Sequence, residues 1–325
     1  MNAKKLLALG MLAALVSFAA PYPVAAQTAL TEMTFGILSP TASEWPIFLA
    51  QAQGFYKDEG LSVSIIEGNT PPNVINMVAT NGANMADNGC DSEIAAVSHG
   101  LPLKIVAPMF GVNPYSLVVV PSIKSWADLK GKSVMLGTKQ DVTAIALGSL
   151  AAAHKLTLDD FSIVIGGNST ARYAGLASGN VQGAMLAQPF DLLAESKGDT
   201  ILATASDTIK DWTFTCIIAN NDWAAKNRPA VLKFLRALRK AIVFGYANKA
   251  TTVAVLVDKT HIDTAIAAKA WDIDWGKWKA FNPNLKLSMP GIESVVKYQI
   301  SFGVIPAMPP INTLYDPSYV AEAFK

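Results

Sequence analysis

The sequence predicts a two-lobed α/β fold with mainly parallel sheets and a helical C-terminal tail. Three observations carry this expectation. The chain has 325 residues, and at roughly 100–200 residues per domain that length suggests two domains. Hydrophobic residues make up 51% and charged residues 16%, the composition of a chain that buries a large core. Short apolar or alternating runs, bounded by Gly, Pro, Asn and Ser, alternate with helix-like segments over residues 33–219, which is the pattern of βαβ units.

The first segment reads as an address. Lys4 and Lys5 precede an apolar run from Leu6 to Val16, followed by Pro21, Pro23 and the small residues Ala25 and Ala26. A basic start, an apolar centre and an A-x-A-like end are the parts of a signal peptide cleaved near Ala26. The run is shorter than the ~20 residues a spanning helix needs. Losing residues 1–26 removes two lysines and no acid, which leaves 24 bases against 25 acids. That balance argues against a nucleic-acid partner, which calls for a basic excess.

The elements then follow in order. Strands are expected at 33–38, 61–67, 85–87 and 104–110. Between them lie a helix N-capped by Ser43 with Pro46 in its first turn, a helix over 73–80, and one running through Val97. A second set has strands at 116–120, 132–136, 161–165, 182–187, 200–205 and 214–219. From Asp222 the chain turns helical, with Pro229 in a first turn and Val231, Leu232, Leu235, Leu238 and Ile242 on one face. The expected organisation is lobe 1 from 27–113 plus 221–325 and lobe 2 from 114–220. The crossings near Asn113-Pro114 and Asn220-Asn221 would form a hinge over a cleft. Cys90 and Cys216 could pair in an oxidising compartment, but this organisation puts them in different lobes and leaves Cys90 as a small buried thiol.

In open parallel sheets, ligands bind beyond the C-terminal ends of strands. The loops at those ends are rich in Ser, Thr, Asn and Gly, and two lobes presenting them to one cleft describe a small-molecule clamp. Ser39 and Thr41 are candidate contacts there. Trp45 is either a stacking wall for a planar ligand or a packing residue between helix and sheet. Asn69 and Thr70 are contacts or simply turn residues. Asp87 either binds an amine or caps a helix, with Asn88 beside it. Tyr115, Thr138, Gln140 and Asn168 lie at the second lobe's loops. Arg172 either holds a carboxylate or sulfonate bidentately or makes a structural pair. Gln188 and Trp212 complete the set. Other chemistry lacks its motif. Gly131-Lys132-Ser133 has Trp126 where a P-loop needs its first Gly, and no H-E-x-x-H or G-x-S-x-G occurs. His99, His154 and His261 have no ligand spacing, so no metal, cofactor or catalytic residue is expected.

The run Glu44-Trp45-Pro46 through Ala50-Gln51-Ala52-Gln53-Gly54-Phe55-Tyr56-Lys57-Asp58-Glu59-Gly60-Leu61 resembles the nitrate/sulfonate/taurine-type substrate-binding proteins of ABC importers. Their superfamily includes thiamine-pyrimidine precursor proteins. Asp128-Leu129-Lys130-Gly131-Lys132-Ser133-Val134, Arg172-Tyr173-Ala174-Gly175-Leu176-Ala177-Ser178-Gly179-Asn180-Val181-Gln182-Gly183-Ala184 and Gln188-Pro189 agree with it, although Gln182 stands where the family usually has an acid. The resemblance implies a type II, Venus-flytrap periplasmic binding protein: a monomer that closes on a small solute and delivers it to a permease in the inner membrane. An aromatic or planar carboxylate, a sulfonate or a pyrimidine-like compound is the expected solute. Two rivals remain, a sensor that docks on a membrane receptor and a pyrimidine-precursor synthase-like enzyme. Such synthases carry a run of adjacent cysteines and a Lys-His constellation. With two isolated cysteines and an export signal, this chain is expected not to be an enzyme.

Overall fold

The computed structural model describes residues 29–325; the expected signal peptide lies outside the described residues. Two five-stranded sheets form the cores of two α/β lobes. The first sheet is built from β1 (Thr31–Ile37), β2 (Leu61–Glu67), β3 (Met85–Gly89) and β4 (Leu103–Phe110). The second contains β5 (Ser116–Val119), β6 (Ser133–Leu136), β7 (Ser162–Ile165), β8 (Gly183–Leu186) and β9 (Thr200–Thr204). A last strand, β10 (Thr215–Asn220), returns to the first sheet.

The strand orders are β2-β1-β3-β10-β4 and β7-β6-β8-β5-β9. The two sheets are the same pattern used twice. In each, one antiparallel strand sits second from an edge: β10 between β3 and β4, and β5 between β8 and β9. Each of these strands is the first one after a crossing between lobes. The crossings run over 111–115 and 205–214. The first contains Asn113-Pro114. The second corrects the crossing expected near Asn220-Asn221: the chain re-enters the first sheet before Thr215, so the expected strand at 214–219 belongs to the first lobe. A strand's own residues report its apolar pattern but not which sheet it joins.

This placement also corrects the reading of the cysteines. Cys216 lies on β10 and pairs in register with Asn88 of β3. Cys90, two residues beyond, is joined to it by a disulfide with the Cα atoms 5.1 Å apart. Both are fully buried. The bond staples the returning strand to the lobe it closes.

The C-terminal region packs on the first lobe. The helix Arg228–Ala247 has Pro229 in its first turn, where the missing N–H costs nothing. Its buried stripe includes Val231, Phe234, Leu235, Leu238 and Ile242, while Leu232 is only partly buried. Phe234 stacks on Phe35 of β1 at 4.8 Å between ring centroids and on Tyr56 at 5.2 Å. Among the described residues no helix is long and apolar enough to cross a membrane.

Candidate functional site

The cleft is assembled from the strand-end loops of both lobes. Its first wall begins after β1, where the turn Ala42–Glu44 precedes the helix Trp45–Ala52. Thr41 caps the turn, and Glu44 rather than Ser43 holds the N-cap position of the helix. The Thr41 N–H donates to Glu44 Oε2 at 3.1 Å, and the Thr41 and Ser43 hydroxyls donate to the same oxygen. After β3, the helix Cys90–Ser98 starts with Asp91 in its first turn. In the second lobe, Asp141 caps the helix Val142–Ala152 by accepting from the Thr143 and Ala144 N–H groups. Asn168 caps the helix Ser169–Ala177 in the same way.

The two walls touch. Val142 N–H donates across the cleft to Asp91 Oδ2 at 2.9 Å. Asn168 Nδ2 donates to Asn69 Oδ1 at 3.2 Å, and Ala42 N–H donates to the Gln188 carbonyl at 3.0 Å. At the rim, Lys269 and Glu195 pair at 2.6 Å. The lobes are closed on each other. Closure leaves two inner chambers of about 20 Å³ each, roughly the space of one water. Leu38, Asn88, Tyr115 and Phe214 border both. Outside them, still between the lobes, lies a groove of about 330 Å³ that shares Asp91 and Asp141 with an inner chamber.

The electrostatics are dominated by acids. Burial pushes the Glu44 and Asp91 carboxyls up to about 7, and for Asp91 the neighbouring Asp141 adds to the effect. Burial also raises Asp141, opposed by the hydrogen bond its carboxylate accepts from the Thr143 hydroxyl and by Arg172. Asp87 rises well above the usual range through burial and Glu44. Arg172, 1% exposed, brings positive charge to an inner chamber. Its Nε donates to the Met185 carbonyl at 2.6 Å, one Nη to the Gly167 carbonyl and the other to Ser169 Oγ at 2.9 Å. Its guanidinium also lies 5.4 Å from the Tyr115 ring centroid. Burial pushes the Tyr115 phenol up to about 12.

Many of the expected contacts meet here. Ser39, Thr41, Asn88 and Tyr115 line the inner chambers, as does Arg172. Asn69 and Asn168 join the lobes, while Thr138 and Gln140 line the groove. Thr70 caps the helix Pro71–Ala79, and Gln188 reaches Asp191 through its side chain. Three do not reach the cleft. Trp45 is fully buried, donates its indole N–H to the Thr252 carbonyl at 2.7 Å and meets Trp275 edge to face. Asp87 is fully buried and borders neither inner chamber; it lies behind the wall, near Glu44 and Thr215. Trp212 borders a separate groove with Phe110 and Trp278. The chambers and groove also hold residues outside the expected set: Glu44, Asp91, Asp141, Phe214 and Gln299. The acids among them were visible as residues of the strand-end loops or of the helix starts that follow them. Gln182 takes a local role by accepting from the Ser133 hydroxyl at 2.9 Å. Glu93 lies beside the two cysteine sulfurs, but the disulfide leaves no thiolate there to ligate a metal.

Solved structures with this architecture include periplasmic binding proteins. The nitrate-binding protein NrtA from Synechocystis PCC 6803 aligns with a TM-score of 0.73 at 15% identity, over 90% of this chain and 88% of that one. The aliphatic sulphonate binding protein SsuA from Escherichia coli aligns with a TM-score of 0.70 at 16% identity, over 89% and 93%. These likenesses establish the two-lobed periplasmic-binding-protein fold. Among curated proteins, the 4-amino-5-hydroxymethyl-2-methylpyrimidine phosphate synthase of Aspergillus parasiticus is 25% identical over 81% of this chain and 80% of its own length. Other fungal relatives carry the same enzyme name. These names correct the expectation that the chain is not an enzyme, because its sequence relatives include proteins named for a synthase activity. The model of NMT1/THI5 like proteins matches residues 42–251, from the first strand-end turn into the C-terminal helices, and the chain belongs to this NMT1/THI5-like family.

Proposed function

We propose that the chain is the exported solute-binding component of an ABC importer, which closes its two lobes on a small organic solute and delivers it to a permease. The observation that carries this reading is the set of hydrogen bonds joining the lobes over buried polar chambers. A clamp works when the ligand binds the closed state better than the open one. The signal-like N-terminus and the periplasmic binding proteins of the same fold support a periplasmic location and a permease partner.

Among the solutes considered from sequence, the acid-rich lining favours a nitrogen-rich ring of pyrimidine type over a sulfonate or carboxylate. Arg172, the obvious anion holder, directs three of its five N–H donors to Gly167, Ser169 and Met185 of its own lobe. The test is small-angle scattering of the mature protein with and without aminopyrimidines, aromatic acids and sulfonates, alongside thermal shift. A solute that raises the melting temperature and lowers the radius of gyration supports the clamp. Binding without compaction refutes it.

A second reading, a pyrimidine-precursor synthase-like activity, is favoured by the names of the fungal relatives. Product formation from candidate precursors, followed by mass spectrometry, tests it directly.

A further inference from the structure

Taking the chain as the solute clamp proposed above, we propose that the groove between the lobes at Asp91 recognises a cationic solute: a primary amine or amidinium carried on an apolar body. Three observations lead here. The inner chambers are each about the size of a water, whereas the groove has about 330 Å³, the space of a small organic molecule. At its inner end Asp91, from the first lobe, faces Asp141, from the second. Arg172 lies near Asp141 and compensates one of these two carboxylates. Among the described residues Asp91 makes no ion pair: Arg172 borders the same inner chamber but donates elsewhere, the exposed His99 borders the groove, and the further titratable neighbour, Glu93, is an acid. A ligand cation supplies the missing charge and lets Asp91 remain ionised.

The third observation is independent of charge. Gln299, 1% exposed, borders the groove and donates its Nε2 to the Asp91 carbonyl at 2.6 Å. Its Oε1 is buried and has no partner among the described residues. A buried acceptor without a donor is costly, and an amine or amidinium N–H satisfies it. Asp91, Asp141 and Gln299 therefore present acceptors, as a donor-only head requires. Ile75, Ala95 and Val304 line the groove further out and provide apolar surface for the ligand's body.

The experiment uses three isosteres, benzamidine, benzamide and benzoate, on the mature protein by calorimetry and thermal shift at equal concentration. Benzamidine is expected to bind and to raise the melting temperature, with benzamide weaker and benzoate without effect. Asp91→Asn keeps an oxygen that can accept from Val142 N–H but removes the charge. It is expected to weaken benzamidine by about tenfold or more while the ligand-free radius of gyration stays unchanged. Gln299→Met is expected to weaken it several-fold. Preference for benzoate, no binding of benzamidine at millimolar concentration, or undiminished benzamidine affinity in Asp91→Asn each overturns the assignment. Benzamidine that binds through Asp91 without compacting the protein leaves this site standing and overturns the clamp instead.

Discussion

Val142 N–H and Asp91 Oδ2 are 2.9 Å apart, so the first turn of a second-lobe helix is anchored to a carboxylate of the first lobe. A helix N-terminus carries unsatisfied N–H groups and a partial positive charge, and the carboxylate answers both. Replacing Asp91 by Ala removes the anchor, whereas Asn retains it. The ligand-free Asp91→Ala protein should be the more open of the two, with the larger radius of gyration by small-angle scattering. Equal radii would mean that the bond does not hold the lobes together.

Stability should fall as pH rises toward neutrality. Glu44, Asp91 and Asp191 are raised by burial to about 7. In the unfolded chain they titrate near about 4. Between these values the folded protein holds protons that the unfolded chain has released, so raising the pH favours unfolding. Their stabilising contribution is complete below about 4 and is lost as pH passes through 7, on the order of 3 kcal/mol per group. A melting temperature that does not fall between pH 5 and 8 would contradict the burial of these acids as carboxylic acids.

The disulfide should matter for stability. It closes a loop across a sequence separation of 126, and removing a native disulfide typically costs about 2–5 kcal/mol. The Cys90→Ser/Cys216→Ser protein should unfold at lower denaturant with the solute affinity of the folded fraction retained. Denaturation curves with and without reductant measure this.

Trp45→Phe separates a packing role from a ligand wall. The substitution loses the indole bond to the Thr252 carbonyl and part of the contact with Trp275. We expect a loss of about 1–2 kcal/mol in stability and no change in solute affinity. A large affinity loss with unchanged stability would move Trp45 back to the cleft.

Arg172→Ala strands three acceptors and leaves Asp141 without its nearby base. Removing one partner of a buried charged network costs about 3–5 kcal/mol. The expected signature in chemical denaturation is a lower midpoint, with sulfonates and carboxylates binding no worse than to the parent. Selective loss of anion binding would restore Arg172 as the anion holder.

Much of the fold was legible because strands and turns are local. Alternation such as Leu61–Glu67 and turn residues such as Gly68-Asn69-Thr70-Pro71 state their own geometry. The lobe of β10 was not legible, since an apolar strand of Thr, Cys, Ile and Ala fits either sheet. The site was legible where it sits at a strand end, as with Ser39, Asn88 and Tyr115. It was hidden where contacts join distant parts of the chain: Gln299 meets Asp91 across a separation of 208 residues, and no spacing signals that. Trp45 follows a strand-end loop, yet the helix it begins turns that side chain inward onto Trp275.

The late return of β10 to the first sheet imposes an order of assembly. The second lobe has every strand in hand once Thr204 is made, and its contacts are local in sequence. The first lobe is interrupted: its β3 and β4 stay apart until Thr215–Asn220 is inserted between them, and Phe35 stays uncovered until Phe234 arrives. A chain emerging from its N-terminus therefore completes its later lobe before its earlier one. A truncation after residue 204 keeps one whole sheet and leaves the other split along its length, with two unpaired edges open to other chains.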